Sequence, residues 1–203
     1  MGNNKSKPTP KPSLDRILTE VLLNVSTTLN KKVEILKTHE KSLLENLNSG
    51  IYSMDYLRSN GELGVHHFKS VQAYKKLIQH LQFLKDSTDV LFSAQTQPNL
   101  LQPYTTAINS AIWSTNKLNL AAITEFNNMI NDQFGHQHIL LAASGINVDE
   151  SLIKLVIYNG VLEFEIAMYL ESFLSRNNFE QGKVFKVNEY IKQVKAETLM
   201  GNA

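Results

Sequence analysis

From Leu14 to Leu47 the chain runs about 34 residues without a proline or a glycine, and apolar residues return at helical steps of three, four or seven positions: Leu14, Leu18, Leu22, Val25, Leu29, Leu36, Leu43 and Leu47. That spacing keeps one face of an α-helix apolar. Ser13 stands where an N-cap is wanted, although Arg16 holds the position a capping box gives to an acid. Asn48-Ser49-Gly50 supplies a stop. A helix of this length is about three times the usual mean. No compact partner covers its stripe, so it requires a second long helix.

The chain supplies one. Val65, Phe68, Val71, Leu77, Ile78, Leu81, Leu84 and Leu91 predict a helix from about His66 to Phe92. Ser59-Asn60-Gly61-Glu62-Leu63-Gly64 reads as a weak break and a hairpin bend, and residues 51–58 fit either helix or loop. Pro98 and Pro103 mark a turn into a third helix, about Tyr104 to Ser114. A fourth is expected from about Ala121 to His138, through Ile123, Phe126, Ile130 and Phe134. Gly145-Ile146-Asn147 breaks the pattern, and Asp149 opens a short helix to about Val156. Val161 to Ser175 is expected to dock on the hairpin, with Leu170 and Phe173 on its buried side. Asn188 to Leu199 reads as a detached amphipathic end helix. No strand alternation and no internal repeat is present. The fold class is all-α: a long antiparallel helical hairpin with additional short helices and a docking C-terminal helix. Residues 1–12 form a tail, 13–178 the helical domain, and 179–203 a second tail holding the end helix.

Composition narrows the function. With 203 residues, 42% of them hydrophobic, the chain can bury a real core, and a net charge of +1 does not suit a nucleic-acid binder. There is no cysteine, which removes disulfides, thiolate-bound metals and thiol catalysis. No apolar run approaches the 18 residues or so of a membrane span. The N-terminus lacks the apolar stretch of a secretory signal. Its residues point elsewhere. Gly2 and Ser6 fit an N-myristoylation pattern, and Lys5, Lys7 and Lys11 follow with no acid before Asp15. One acyl chain binds a membrane only marginally, and a basic cluster beside it supplies the second signal toward an anionic leaflet. The segment resembles the acylated, Lys-rich start of Src-family kinases. A plain solvated tail is the alternative.

No catalytic constellation is found. His66-His67, His80, His136 and His138 have no acid at i+3 or i+4, and neighbours on a helix point about 100° apart, so they read as solvated histidines rather than metal ligands. Glu163, Glu165 and Glu171 do not make the Glu-x-x-His pairs of a di-iron bundle. No phosphate loop and no nucleophile elbow is present. The expectation is a non-enzyme without cofactor or metal. Trp113, the single tryptophan, reads as a core anchor, and Lys31, Lys32, Lys37 and Lys41 as a solvated, membrane-facing or filament-facing side of the first helix.

Three segments carry a family resemblance. They are Asn30-Lys31-Lys32-Val33-Glu34-Ile35-Leu36 through Glu45-Asn46-Leu47-Asn48-Ser49-Gly50; Ser110-Ala111-Ile112-Trp113-Ser114-Thr115-Asn116-Lys117-Leu118; and Val148-Asp149-Glu150-Ser151-Leu152-Ile153 with Ile166-Ala167-Met168-Tyr169-Leu170-Glu171. Their order over residues 14–178 resembles the ESCRT-III architecture, and within it the increased-sodium-tolerance (Ist-one) family of membrane-remodelling regulators. The resemblance implies a non-enzymatic protein of endosomal multivesicular-body sorting, cytoplasmic and peripheral on endosomal or other cytoplasm-facing membranes. Implied partners are an anionic leaflet, other ESCRT-III subunits, the AAA ATPase that disassembles them, and further copies of the chain. Leu81, Phe83 and Leu84 fall where the family has an acid-containing partner-binding quartet. Ile191, Val194 and Leu199 stand in the candidate ligand for the ATPase's microtubule-interacting-and-trafficking (MIT) domain. A myristoylated helical adaptor that never polymerises, and a helical lipid-transfer protein with a cavity, are the rival readings.

Overall fold

The computed structural model describes residues 13–93, 102–118, 120, 124–157 and 160–201. These residues form helices and connections, with no strand among them. The helices are α1 (Leu14–Ser49), α2 (Met54–Asp86), α3 (Thr88–Ser93), α4 (Thr105–Leu118), α5 (Thr124–Phe134), α6 (Gln137–Ala143), α7 (Glu150–Val156), α8 (Glu163–Arg176) and α9 (Phe185–Gly201). The two long helices pair as the hairpin that the apolar periodicity requires.

Local chemistry sets the ends. The Ser13 hydroxyl accepts the Arg16 N–H at 3.3 Å and caps α1. Gly50, at φ +71°, takes the left-handed conformation that ends it, and its N–H returns to the Leu47 carbonyl at 3.1 Å. α2 then begins at Met54, because the Ser53 hydroxyl accepts the Tyr56 N–H at 3.1 Å. The bend expected at residues 59–64 is instead helix, and residues 54–58 are helical too. The expected fourth helix is two, α5 and α6, parted at Gly135, where φ is +85°. The expected start of that helix, residues 121–123, lies outside the described residues.

The described residues divide into two compact units, those of 13–26 with 77–149 and those of 27–76 with 150–201. In the first, the core takes Ile17, Leu18, Val21 and Val25 from α1, Leu77, Leu81 and Leu84 from α2, Ile108, Ile112 and Trp113 from α4, and Phe126 and Ile130 from α5. Two of its buried polar side chains are satisfied locally. Asn109 Nδ2 donates to the Ile146 carbonyl at 3.0 Å, and the Ser110 hydroxyl accepts the Asp149 N–H at 2.9 Å. In the second unit, Leu43 and Leu47 of α1 and Leu57 and Val65 of α2 meet Ile166, Ala167, Leu170 and Phe173 of α8 and Val187, Tyr190, Ile191 and Val194 of α9 in one cluster. The last helix is therefore not detached. It starts at Phe185, and its i, i+3, i+4, i+7 stripe lies in the core.

Candidate functional site

The second unit holds the site, at the seat of α8. Gly61 and Gly64, three apart on α2, share one helical face. A Cβ on Gly61 would collide with Ile166, and one on Gly64 would overlap the Tyr169 ring. Both glycines are needed so that α8 can approach the α2 backbone. Charged groups then fasten the helix around this notch. Lys69 Nζ meets Glu165 Oε1 at 2.6 Å, with both side chains about a third exposed or less (20% and 32%). Glu165 also accepts the Leu162 N–H at 3.3 Å, so one carboxylate both caps α8 and ties it to α2. Arg176, in the last turn of α8, bonds Glu40 of α1 at 2.9 Å. Glu163 accepts the Tyr190 hydroxyl proton and pairs with Arg58 at 3.3 Å. Lys195 of α9 donates to both oxygens of Glu171 at 2.6 Å.

Burial, with the Glu40 charge beside it, pushes the Tyr169 hydroxyl well above the ordinary tyrosine range. Burial and then the Glu163 carboxylate do the same for Tyr190. The Tyr169 hydroxyl is buried beside the Glu40 carboxylate and makes no hydrogen bond of normal geometry.

Beside the seat runs a half-open groove of about 540 Å³. Val65 and Phe68 of α2, Leu155 of α7, and Phe164 and Met168 of α8 form its apolar lining. Phe68, expected on the buried stripe, is 46% exposed here, and Phe164 and Met168 are each 40% exposed. Three large apolar side chains left facing one groove make a surface able to take up an apolar partner.

Other residues singled out from sequence fall in different places. Gly2, Lys5, Lys7 and Lys11 lie outside the described residues. Leu81 and Leu84 are buried in the first unit, and only Phe83 of that trio faces outward, stacked on Tyr104 with ring centroids 5.2 Å apart. Ile191 and Val194 are buried in the second unit, while Leu199 is exposed. A partner reaches Ile191 and Val194 only if α9 leaves the cluster. Trp113 is a core residue. Lys31, Lys37 and Lys41 are exposed, Lys32 is half-buried, and Lys37 pairs with Glu34 at 2.8 Å.

The histidines are not uniformly solvated. His80 bonds Asp149 at 3.0 Å, both side chains less than a fifth exposed. His138 meets Asn109 Oδ1 at 3.1 Å, and burial lowers its pKa. His136, exposed, pairs with Asn131 at 2.9 Å. His39, which no sequence pattern marks, is buried on α1. Among the described residues no group of three or more histidines and carboxylates is placed to hold a metal ion, and no helix is long and apolar enough to cross a membrane. Sequence reasoning does not mark the Gly61-x-x-Gly64 pair or the charges of the α8 seat as functional. Two glycines inside an apolar stripe are the signal that could have found them.

No protein-family model matches the chain, and no curated protein matches it. The family resemblance therefore rests on the three segments that carry it.

Proposed function

We propose that this chain is a non-enzymatic, ESCRT-III-like assembly subunit that works on a cytoplasm-facing membrane. The observation that carries this reading is the seat of α8. A late helix lies on two paired long helices, at a glycine notch specific enough to define a closed state. Its outer fastenings are at least partly exposed ion pairs, each worth about 1 kcal/mol or less. On this reading α8 has a second position, off the notch, and a membrane or partner offsets the exposure of Ile166, Leu170 and Phe173 by binding that state better. Undocking would bare the Gly61–Gly64 face and the apolar residues of the cluster for a neighbouring subunit. The groove of Phe68, Phe164 and Met168 is the companion surface for partner contact. An acylated Gly2 with Lys5, Lys7 and Lys11 would hold the subunit at the anionic leaflet of endosomal or similar membranes. On this reading the partners are further copies, other ESCRT-III subunits and the AAA ATPase that takes them apart.

Electron microscopy and sedimentation on phosphatidylserine-containing liposomes test the reading. The acylated parent should form ordered arrays, alone or with a second ESCRT-III subunit. Gly64→Ala, which wedges α8 off α2, should assemble more readily. A parent that stays monomeric on liposomes with either addition, and a Gly64→Ala variant that folds but assembles no better, would replace this reading with a myristoylated adaptor that does not polymerise.

A further inference from the structure

Three of the six histidines of the chain meet at one place in the second unit. His39 of α1 is 9% exposed, and its Nε2 lies 2.9 Å from the Asn60 carbonyl of α2. That contact fixes the neutral tautomer, because a carbonyl accepts and the ring nitrogen must donate. The edge of the His67 ring stands against His39, centroids 5.6 Å apart, and the His66 ring lies 6.0 Å from His67.

We propose that His39 and His67 form a proton-operated latch on the α1–α2 pairing of the second unit, closed when both rings are neutral and loosened when both are charged. The charged surroundings make the case. Lys32 raises the positive potential at His67, as do His39 and His66. The nearby carboxylates are shared with other cations: Glu34 on the wall of the same cleft pairs with Lys37 at 2.8 Å, and Glu40, which also acts on His39, pairs with Arg176 of α8 at 2.9 Å. Glu62 of α2 shares a separate surface hollow with His66, not the cleft of His39 and His67. Tyr169 of α8, the other titratable group beside Glu40, stays protonated across this range. A second imidazolium therefore meets a first one in a cleft whose lining carboxylate, Glu34, is shared with Lys37. His39 faces a carbonyl in either state, so its hydrogen bond survives and repulsion and desolvation are what change.

The direction of the effect follows. Burial first, then the neighbouring positive groups at His67, lower both imidazoles from their ordinary 6.5; the Asn60 carbonyl and Glu40 oppose this at His39 without reversing it. The unfolded or opened chain takes up protons first as pH falls. Stability is thus present above about 6.5, declines below it, and reaches its floor once pH is under the lowered folded values. The proposal does not depend on the assembly reading, because it concerns only the packing of α1 on α2.

Hydrogen exchange of the full chain at pH 7.5 and 5.5, corrected for intrinsic rates, tests it. Amides of residues 36–47 and 57–68 should lose about tenfold in protection, and those of residues 107–114 in α4 should change far less. His39→Gln/His67→Gln keeps a donor near Asn60 without a titrating ring, and should remove most of the pH response. A double variant that loses protection between the two pH values as fully as the parent overturns the latch. If that variant misfolds by circular dichroism, His67→Gln alone is read in the same way. Imidazole proton titrations by NMR provide an independent test: His39 and His67 both titrating below the ordinary value support the latch, and both titrating at or above it overturn it.

Discussion

Gly64 sits in the interior of a long helix, where alanine is ordinarily the better residue by about 1 kcal/mol. Here the ordinary preference reverses, because the Tyr169 ring occupies the space a methyl would need. Forcing a group into a filled site costs about 1–3 kcal/mol. Gly64→Ala should therefore destabilise the second unit by up to about 2 kcal/mol net, seen as a lowered Tm; a raised Tm would show that α8 does not rest on that glycine. The two tyrosines of the seat differ. The Tyr169 hydroxyl is buried beside Glu40 with no hydrogen bond of normal geometry, so Tyr169→Phe should change stability by less than about 1 kcal/mol. The Tyr190 hydroxyl donates to the Glu163 carboxylate, so Tyr190→Phe should lose about 1 kcal/mol. Thermal melts of both variants at pH 7.5 decide this. A larger loss at Tyr169 than at Tyr190 would reverse the assignment of which hydroxyl is bonded.

At the scale of the elements, start signals carry measurable weight. Ser53→Ala removes the cap that lets α2 begin at Met54 and should cost about 1 kcal/mol. Hydrogen exchange should place the loss in the first turns of α2, and a uniform loss along the helix would contradict the cap. How much of each element is legible in the sequence depends on how local its cause is. α1 is legible end to end because its stripe, the Ser13 cap and the Gly50 stop all lie within the element. The start of α2 is not, since glycine reads locally as a bend, and only the partner helix α8 gives Gly61 and Gly64 their purpose. α9 reads as detached because its stripe begins at Val187, ahead of the segment that periodicity marks, and meets its partner only in the fold. Leu81, Leu84 and Phe83 read as one surface, yet three such positions cannot share a helix face. The first two turn into the core and the third turns out. The groove and the burial of His39 are illegible for a further reason, since each depends on which turn of one helix lies beside which turn of another.

For the whole molecule, the proposed function turns on whether membrane attachment would belong to the N-terminus or to the helical body. The described helices offer no span, and Lys37, on the face read as solvated, membrane-facing or filament-facing, is already paired with an acid. On the proposed membrane-bound reading, attachment falls to Gly2 and to Lys5, Lys7 and Lys11, in the order the physics sets. The acyl chain supplies apolar burial of about 0.8 kcal/mol per methylene and is marginal alone. Each lysine adds about 1 kcal/mol near an anionic leaflet, within a screening length of about 8 Å. Gly2→Ala blocks acylation, because acylation requires the α-amine of an N-terminal glycine. It should release the protein from membranes while leaving its helical circular dichroism and its melting temperature unchanged, because the tail precedes α1. Replacing the three lysines with Gln should release most of the protein while the N-terminal peptide keeps its acyl mass. The residual binding of that variant should be insensitive to salt, whereas the parent's should weaken as salt rises. Cell fractionation with mass spectrometry of the N-terminal peptide reads all of these. An N-terminus without acyl mass on a protein that still sediments with membranes would transfer attachment to the helical body, and the exposed Phe68, Phe164 and Met168 would be the first residues to replace.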